Sequence, residues 1–369
     1  MTSKEKKKSI VLIGLNGRGG PLTYSCTVAN CLSDKHDVSL VLPSYSDKSM
    51  LKEQVRLIEL KAPPDALKTM LLTFNILQHI RLIRKINSSH PDMINILDIH
   101  PWYVMYWPFL KAKEKIVTIN DVQPHSGEAG IITTLMIKFT TAFLLRKADK
   151  IITLSEYQTK ILKSMGFKRE IVTSRLGDQF ILSEKNIPKE RFRTENDNIL
   201  FFGRIRDYKG LDYLLDSLIS LKKKGIKFRL IIAGEGDIRP YSMKIGSLGK
   251  EYVEQHIGYV PDPCMSEYFQ RSSFVVLPYT EATQTGVASI SYHFRKPMIA
   301  TMVGGLPEVV IDRKTGIIVP PKDTKALSAA IIRLLKDPAL AKKMGAQGNQ
   351  FLKRELDWNR IVEKTYKEF

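Results

Sequence analysis

Three features of the 369-residue chain predict an α/β fold of two doubly wound, Rossmann-like domains. Apolar runs of four to seven residues alternate with amphipathic segments along its whole length. The runs are continuously apolar, as expected for parallel strands covered by helices on both faces. The pattern also restarts midway: IVLIGLNGRGG opens the first half and ILFFGRIRDYKG the second, each a strand running into a glycine turn. A chain this long exceeds one ordinary core and suits two domains of roughly 150–200 residues. Alternation of strand and helix implies right-handed crossovers.

In the first half the strand-like runs are SIVLIGL, VSLVLP, MINILDI, KIVTIN and KIITLS. The basic-then-apolar start, MTSKEKKKSIVLIGL, reads as the first buried strand, because it flows into a glycine turn and not a small-residue cleavage site. TMLLTFNILQHIRLIRKI (69–86) reads as one helix with Arg81, Arg84 and Lys85 at one end. It suits either a core-facing role or an acidic membrane surface. The longest apolar run, IITTLMIKFTTAFLL (131–145), contains Lys138 and is too short to span a bilayer. The second half supplies NILFFG, FRLIIAG, EQHIGYV, SFVVLP and PMIAT. Between the halves, the polar stretch 183–198 marks the boundary. The expected domains are 1–183 and 184–350, with 351–369 as a closing amphipathic helix able to dock on either domain or cross back to the first.

The net charge of +19 is shared between the halves, so it is not a basic tail. It favours anionic partners: nucleic acid, acidic lipid or phosphorylated small molecules. Nucleic acid rests on charge alone, since no RNP, KH or zinc-finger pattern accompanies it. Three cysteines at no metal spacing fit a reducing, cytoplasmic compartment. The absence of HExxH, CxxC and DxD patterns argues against a metal.

Chemistry-bearing residues gather after the strands. In GLNGRGGP (14–21), Gly17, Gly19 and Gly20 allow a sharp turn whose N–H groups face an anion at a helix start, or simply a flexible turn. The spacing is not GxGxxG and no acidic residue ends the second strand, which disfavours a dinucleotide. GRIRDYKG (203–210) sets Arg204 and Lys209 beyond Gly203, where open α/β sheets bind ligands. A planar fork and a point charge together suit a diphosphate, with a solvated basic loop as the alternative. AGEGD (233–237) is a tight turn, with Glu235 a turn or cap residue before a catalyst. In EATQTGVASISYHFRKP (281–297), Glu281 stands at the loop entrance. Thr283, Gln284, Thr285 and Gly286 form either a phosphate-and-hydroxyl cradle or a helix cap. Glu308 in GGLPEVV complements a helix dipole or holds sugar hydroxyls. In the first half, His100, Asn120, Asp121, His125 and Glu128 follow strands, where polar groups belong at a cleft, although a lone histidine is more often structural than catalytic.

NILFFGRIRDYKGLDYLLDSL, LIIAGEGD, VVLPYTEATQTGV, KPMIATMVGGLPEVV and KTGIIVPP, in this order, resemble the family 4 glycosyltransferases of the GT-B fold. NGRGG, INDVQPHSGE and ADKIITLSE are similar to the same family's acceptor-side domain. The resemblance implies two domains facing a cleft and retaining, metal-independent transfer from a nucleotide diphosphate sugar, a substrate and not a cofactor. Arg204 and Lys209 would meet the diphosphate, where they would stabilise leaving-group charge. Gly234, Glu235 and Val260 would sit by the base, and Thr283–Gly286 with Glu308 by sugar and phosphates. The acceptor would be a glycan or a lipid-linked oligosaccharide in surface polysaccharide synthesis, at the cytoplasmic membrane face. A nucleotide-sugar 2-epimerase and a non-catalytic sugar-nucleotide-binding protein are the alternatives. Two departures stand out. Many members carry a second glutamate where this chain has Ser289, and a histidine where it has Asn120, with His125 nearby.

Overall fold

The chain, a computed structural model, is described here over residues 7–63, 72–122, 131–180 and 192–367. The domain boundary expected at 183/184 and the candidate residues His125 and Glu128 lie outside the described residues.

In the first unit, seven strands line up in parallel: β1 (Ser9–Ile13), β2 (Asp37–Pro43), β3 (Arg56–Leu60), β4 (Met93–Ile96), β5 (Glu114–Ile119), β6 (Lys150–Thr153) and β7 (Glu170–Thr173). Their order is β3-β2-β1-β4-β5-β6-β7, with Ile10 in register with Val38 on one side and Met93 on the other. In the second unit, six parallel strands, β8 (Asn198–Phe202), β9 (Arg229–Gly234), β10 (Val253–Ile257), β11 (Phe274–Leu277), β12 (Met298–Thr301) and β13 (Gly316–Val319), take the order β10-β9-β8-β11-β12-β13.

Alternate side chains of a strand point to opposite faces. In the second sheet Ile199, Phe201, Leu230 and Ile232 enter one core, with Leu214 and Leu218 from the helix Leu211–Lys223. Leu200, Ile231 and Ala233 enter the other, with Phe269 and Tyr292. Burial on both faces is why these strands read as unbroken apolar runs. The strands absent from the sequence reading, β3, β7 and β13, all lie at sheet edges. There β3 exposes Arg56 and Glu59, and β7 begins on the exposed Glu170, so no continuous run forms.

Two helices differ from expectation. The segment 69–86 is not one helix: a turn intervenes and the described helix begins at Ile76, running to Asn87. Asn75 breaks it, because its side chain accepts the Gln78 N–H (3.2 Å) as an N-cap. The C-terminal segment 351–369 is likewise not continuous. The helix Pro338–Glu355 ends in the second unit, and a separate helix, Trp358–Tyr366, belongs to the first. There Trp358 meets the Tyr24 ring edge-on at 5.6 Å, and Asn95 Nδ2 donates to Tyr366 Oη (2.6 Å). Among the described residues no helix is long and apolar enough to cross a membrane.

Candidate functional site

Strand order reverses once in each sheet, between β8 and β11 in the second and between β1 and β4 in the first. Loops leaving two such neighbours diverge and open a crevice at the carboxyl edge.

On the second sheet the glycines bring that edge together. Gly203 follows β8 at φ 115° and donates its N–H to Ala233 (3.0 Å), while the Ile205 N–H reaches the Glu235 carbonyl (2.7 Å). A Cβ on Gly234, at φ 147°, would lie 2.0 Å from the Gly203 oxygen, so only glycine lets the loops 203–206 and 234–236 run side by side. Arg204 and Glu235 are exposed on these loops. Past the turn Asp207–Lys209, the Thr280 N–H donates to the Tyr208 carbonyl (2.8 Å), which draws the β8 loop onto the β11 loop. Lys209 Nζ then lies 3.8 Å from the ring centroid of Tyr279, a cation–π contact. The buried Tyr279 hydroxyl lies 3.5 Å from Thr285 Oγ1, and that oxygen also accepts the Val287 N–H (3.3 Å) at the start of the helix Val287–His293. Tyr279 thus joins the cation to the threonine loop.

The third wall comes from β12. Gly304, at φ 52°, packs so closely that a Cβ would lie 1.5 Å from the Ala282 oxygen, and the Gly305 N–H donates to the Thr283 carbonyl (3.1 Å). Glu308 follows, half-buried in the short helix Leu306–Val309. Gln284 Oε1 is buried and accepts no hydrogen bond among the described residues. Such an orphaned acceptor costs free energy unless a donor arrives. Val260 lies beyond β10, whose end is tied to β9 by the Gly258 N–H on the Gly234 carbonyl (3.0 Å). Ser289 is buried, accepts the Gln179 N–H (3.0 Å) and donates to the Gly286 carbonyl (2.9 Å), so this hydroxyl pins the loop from below. Glu281 is exposed.

The first sheet carries Gly17, Gly19 and Gly20, and the second carries the other residues expected around a donor. The Asn16 N–H donates to Asp98 Oδ2 (2.6 Å), and the Tyr103 hydroxyl to Asp98 Oδ1 (2.7 Å). Asp98 therefore ties the glycine turn after β1 to the end of β4. Burial pushes its carboxyl up to about 6, against the Tyr103 hydroxyl and the Asn16 and Leu15 N–H groups that favour the anion. Gly19 (φ 57°) opens the helix Gly19–Ser33. His100, two residues on from Asp98, is pulled down to about 4, by burial first and by His79 second, so its ring is neutral at pH 7. Asn120 follows β5, and its Oδ1 is buried with no hydrogen bond among the described residues.

The structure thus gathers Gly203, Lys209, Gly234, Glu235, Thr283–Gly286 and the Gly304–Glu308 segment along one sheet edge. Sequence reasoning missed Tyr279 and Asp98. Each stands just past a strand end, the only signal either carried.

The model of Glycosyl transferases group 1 matches residues 183–351, and that of Glycosyltransferase Family 4 matches residues 18–173. The chain belongs to the group 1 glycosyltransferases. Alpha-D-kanosaminyltransferase of Streptomyces kanamyceticus is 31% identical over 159 residues, 42% of this chain and 41% of that enzyme. The match thus spans under half of that relative's length. Among solved structures, sucrose-phosphate synthase from Thermosynechococcus elongatus superposes with a TM-score of 0.76 at 19% identity, covering 98% of each chain. HepE of Anabaena in complex with UDP-glucose gives 0.69 at 14% identity, covering 98% of this glycosyltransferase and all of that chain. These likenesses place its fold with the GT-B enzymes.

Proposed function

We propose that this glycosyltransferase moves a sugar, with retention, from a nucleotide diphosphate sugar bound at the carboxyl edge of its second sheet to a glycan or lipid-linked acceptor. One observation carries the reading. The Lys209 ammonium, fixed on the Tyr279 ring, and the threonine loop with its unsatisfied Gln284 oxygen meet at the topological switch point of that sheet. A diphosphate needs fixed cations and N–H groups, and a sugar needs hydroxyl partners with unfilled valences. HepE, of similar fold, forms a complex with UDP-glucose, which supports a uridine diphosphate sugar as the first donor to try.

As the glycosidic bond breaks, negative charge grows on the leaving diphosphate. Arg204 and Lys209 would stabilise it most in the transition state, which lowers the barrier without tightening the ground state. Gln284, Thr283 and Glu308 would orient the sugar. Ser289 fills the place of a carboxylate, so no protein nucleophile is assigned. On the first sheet, the Asp98-held glycine turn and Asn120 would shape the acceptor side. An acidic membrane surface would bring lipid-linked acceptors into reach.

The test is transfer and donor hydrolysis across a panel of nucleotide sugars, with Arg204→Ala and Lys209→Ala alongside. Loss of about 10²–10³-fold in kcat is expected for each. Full activity in both variants would overturn the assignment of the diphosphate site.

A further inference from the structure

The first unit concentrates exposed apolar surface on two helices, on residues outside its hydrophobic core. Among the described residues, fifteen large hydrophobic side chains are exposed, and seven of them lie on or beside these two helices. Ile76, Leu77 and Ile80 stand on the helix Ile76–Asn87, with Phe74 (79% exposed) just before it. The same helix buries His79, Leu82 and Ile86 against the core, so its outward side is a second apolar stripe. Leu135, Met136 and Phe139 (64% exposed) stand on the helix Ile131–Lys147.

These helices adjoin the same element. His79 Nδ1 pairs with Tyr106 Oη (2.6 Å), and Trp102 Nε1 donates to Thr73 Oγ1 (2.8 Å), which fastens the first to the helix Trp102–Tyr106. The helix Ile131–Lys147 packs on that same short helix. Neither long helix contains an aspartate or glutamate, whereas Arg81, Arg84 and Lys85 follow the apolar residues on one and Lys138, Arg146 and Lys147 lie on the other. Seven exposed large apolar side chains on two helices that adjoin one element are more than the scattered single ones of a water-facing protein. A stripe of cations beside them, with no carboxylate, complements anionic headgroups above an acyl layer.

We propose that the two helices form a docking face for an anionic lipid bilayer, with the apolar residues inserted at the headgroup–acyl boundary and the cations among the headgroups. The proposal deepens the reading of a membrane-held acceptor and rests on it for its purpose, but it is tested separately from donor chemistry.

The experiment is co-sedimentation of the full chain with vesicles of phosphatidylcholine alone or of phosphatidylcholine mixed with phosphatidylglycerol, whose anionic headgroups give a negative surface potential. The variants are Leu77→Ser/Ile80→Ser, Phe139→Ser and Arg81→Gln/Arg84→Gln. Binding to the anionic vesicles only, weakened at high salt, is expected. The apolar variants should bind at least tenfold more weakly, and the cation variant weaker by roughly fivefold for each charge removed. Unchanged thermal melts and donor hydrolysis by every variant would show that fold and donor site are intact. Three outcomes overturn the proposal: no vesicle binding, equal binding by wild type and all variants, or a concentration-dependent dimer that the apolar variants dissolve. Loss of donor hydrolysis in the wild type, with vesicle binding kept, would instead count against the function and leave the docking face standing.

Discussion

Replacing Gly304 by alanine tests whether the threonine loop is held from beneath as the geometry requires. The added Cβ would lie 1.5 Å from the Ala282 carbonyl oxygen and 2.5 Å from its carbon, both backbone atoms with no rotamer to escape into. Ordinary contact needs more than about 3 Å, so the two segments must part by roughly 1.5 Å. The φ of 52° adds strain of about 1–2 kcal/mol for a residue with a Cβ. Overpacking adds about 1–3 kcal/mol. A loss of about 2–5 kcal/mol is therefore expected, and parting the segments also breaks the Gly305 N–H bond to the Thr283 carbonyl. Displacement of a substrate-positioning loop by an ångström costs on the order of 10²-fold in rate. All three tryptophans, Trp102, Trp107 and Trp358, belong to the first unit. Tryptophan fluorescence therefore reports the first unit, while far-UV circular dichroism reports both, so a dichroism change without a matching fluorescence change belongs to the second. Gly304→Ala should lower the dichroism transition and the transfer rate, with smaller change in fluorescence. Gly246→Ala is the control: it is exposed in a helix with nothing within 4 Å of an added Cβ, so it should be neutral or stabilising by up to about 1 kcal/mol. A Gly304→Ala protein as stable as wild type would refute the packing argument. A destabilised protein with undiminished donor binding would remove the loop from the donor site.

Asp98→Asn should cost about 1–3 kcal/mol at pH 7, because one amide face cannot accept the bonds from Asn16 N–H and the Tyr103 hydroxyl. Since the folded carboxyl sits at about 6, above its unfolded value, its protonated form stabilises the fold at low pH. That contribution is lost as pH rises through about 4 to 6, so wild-type stability measured by tryptophan fluorescence should fall relative to Asp98→Asn across that window. In the second unit, Arg271 Nη2 and Nη1 donate to Glu254 Oε2 (2.8 Å) and Oε1 (3.0 Å). Burial resists ionisation of Glu254, but Arg271, His256 and Arg229 outweigh it and bring the carboxyl down to about 2. Its contribution is present above the unfolded carboxylate range and lost as acid takes the pH towards 2. Arg271→Met should destabilise this unit by about 3–5 kcal/mol at pH 7, read by circular dichroism, with a smaller penalty near pH 3; an equal penalty at both would show that packing, not charge, is lost.

Residues that act through their immediate neighbours are legible in the sequence. β1 and β8 announce themselves because both faces are covered, so nearly every residue is apolar, and the glycine turns at 14–20 and 203–210 follow from the strands that precede them. The edge strands are not legible in this way. With Arg56 and Glu59 turned to solvent, β3 looks like any polar connection. The helix cap at Asn75 is legible in principle, but the apolar residues on both sides mask it.

The local order of strand, glycine turn and helix was thus determined by sequence alone, since it depends on residues within about ten positions of one another; the excess of positive charge, a sum, and the family resemblance, a set of ordered motifs, need no fold either. Which side chains meet was decided only by tertiary structure. Lys209 finds Tyr279 seventy positions away, and Asp98 holds Asn16 from eighty-two away, because parallel strands that cross over bring distant strand ends to one sheet edge. Among the described residues, no layer covers the outward sides of the helices Ile76–Asn87 and Ile131–Lys147. Periodicity can mark such a stripe as apolar, but only the fold shows that nothing among the described residues buries it.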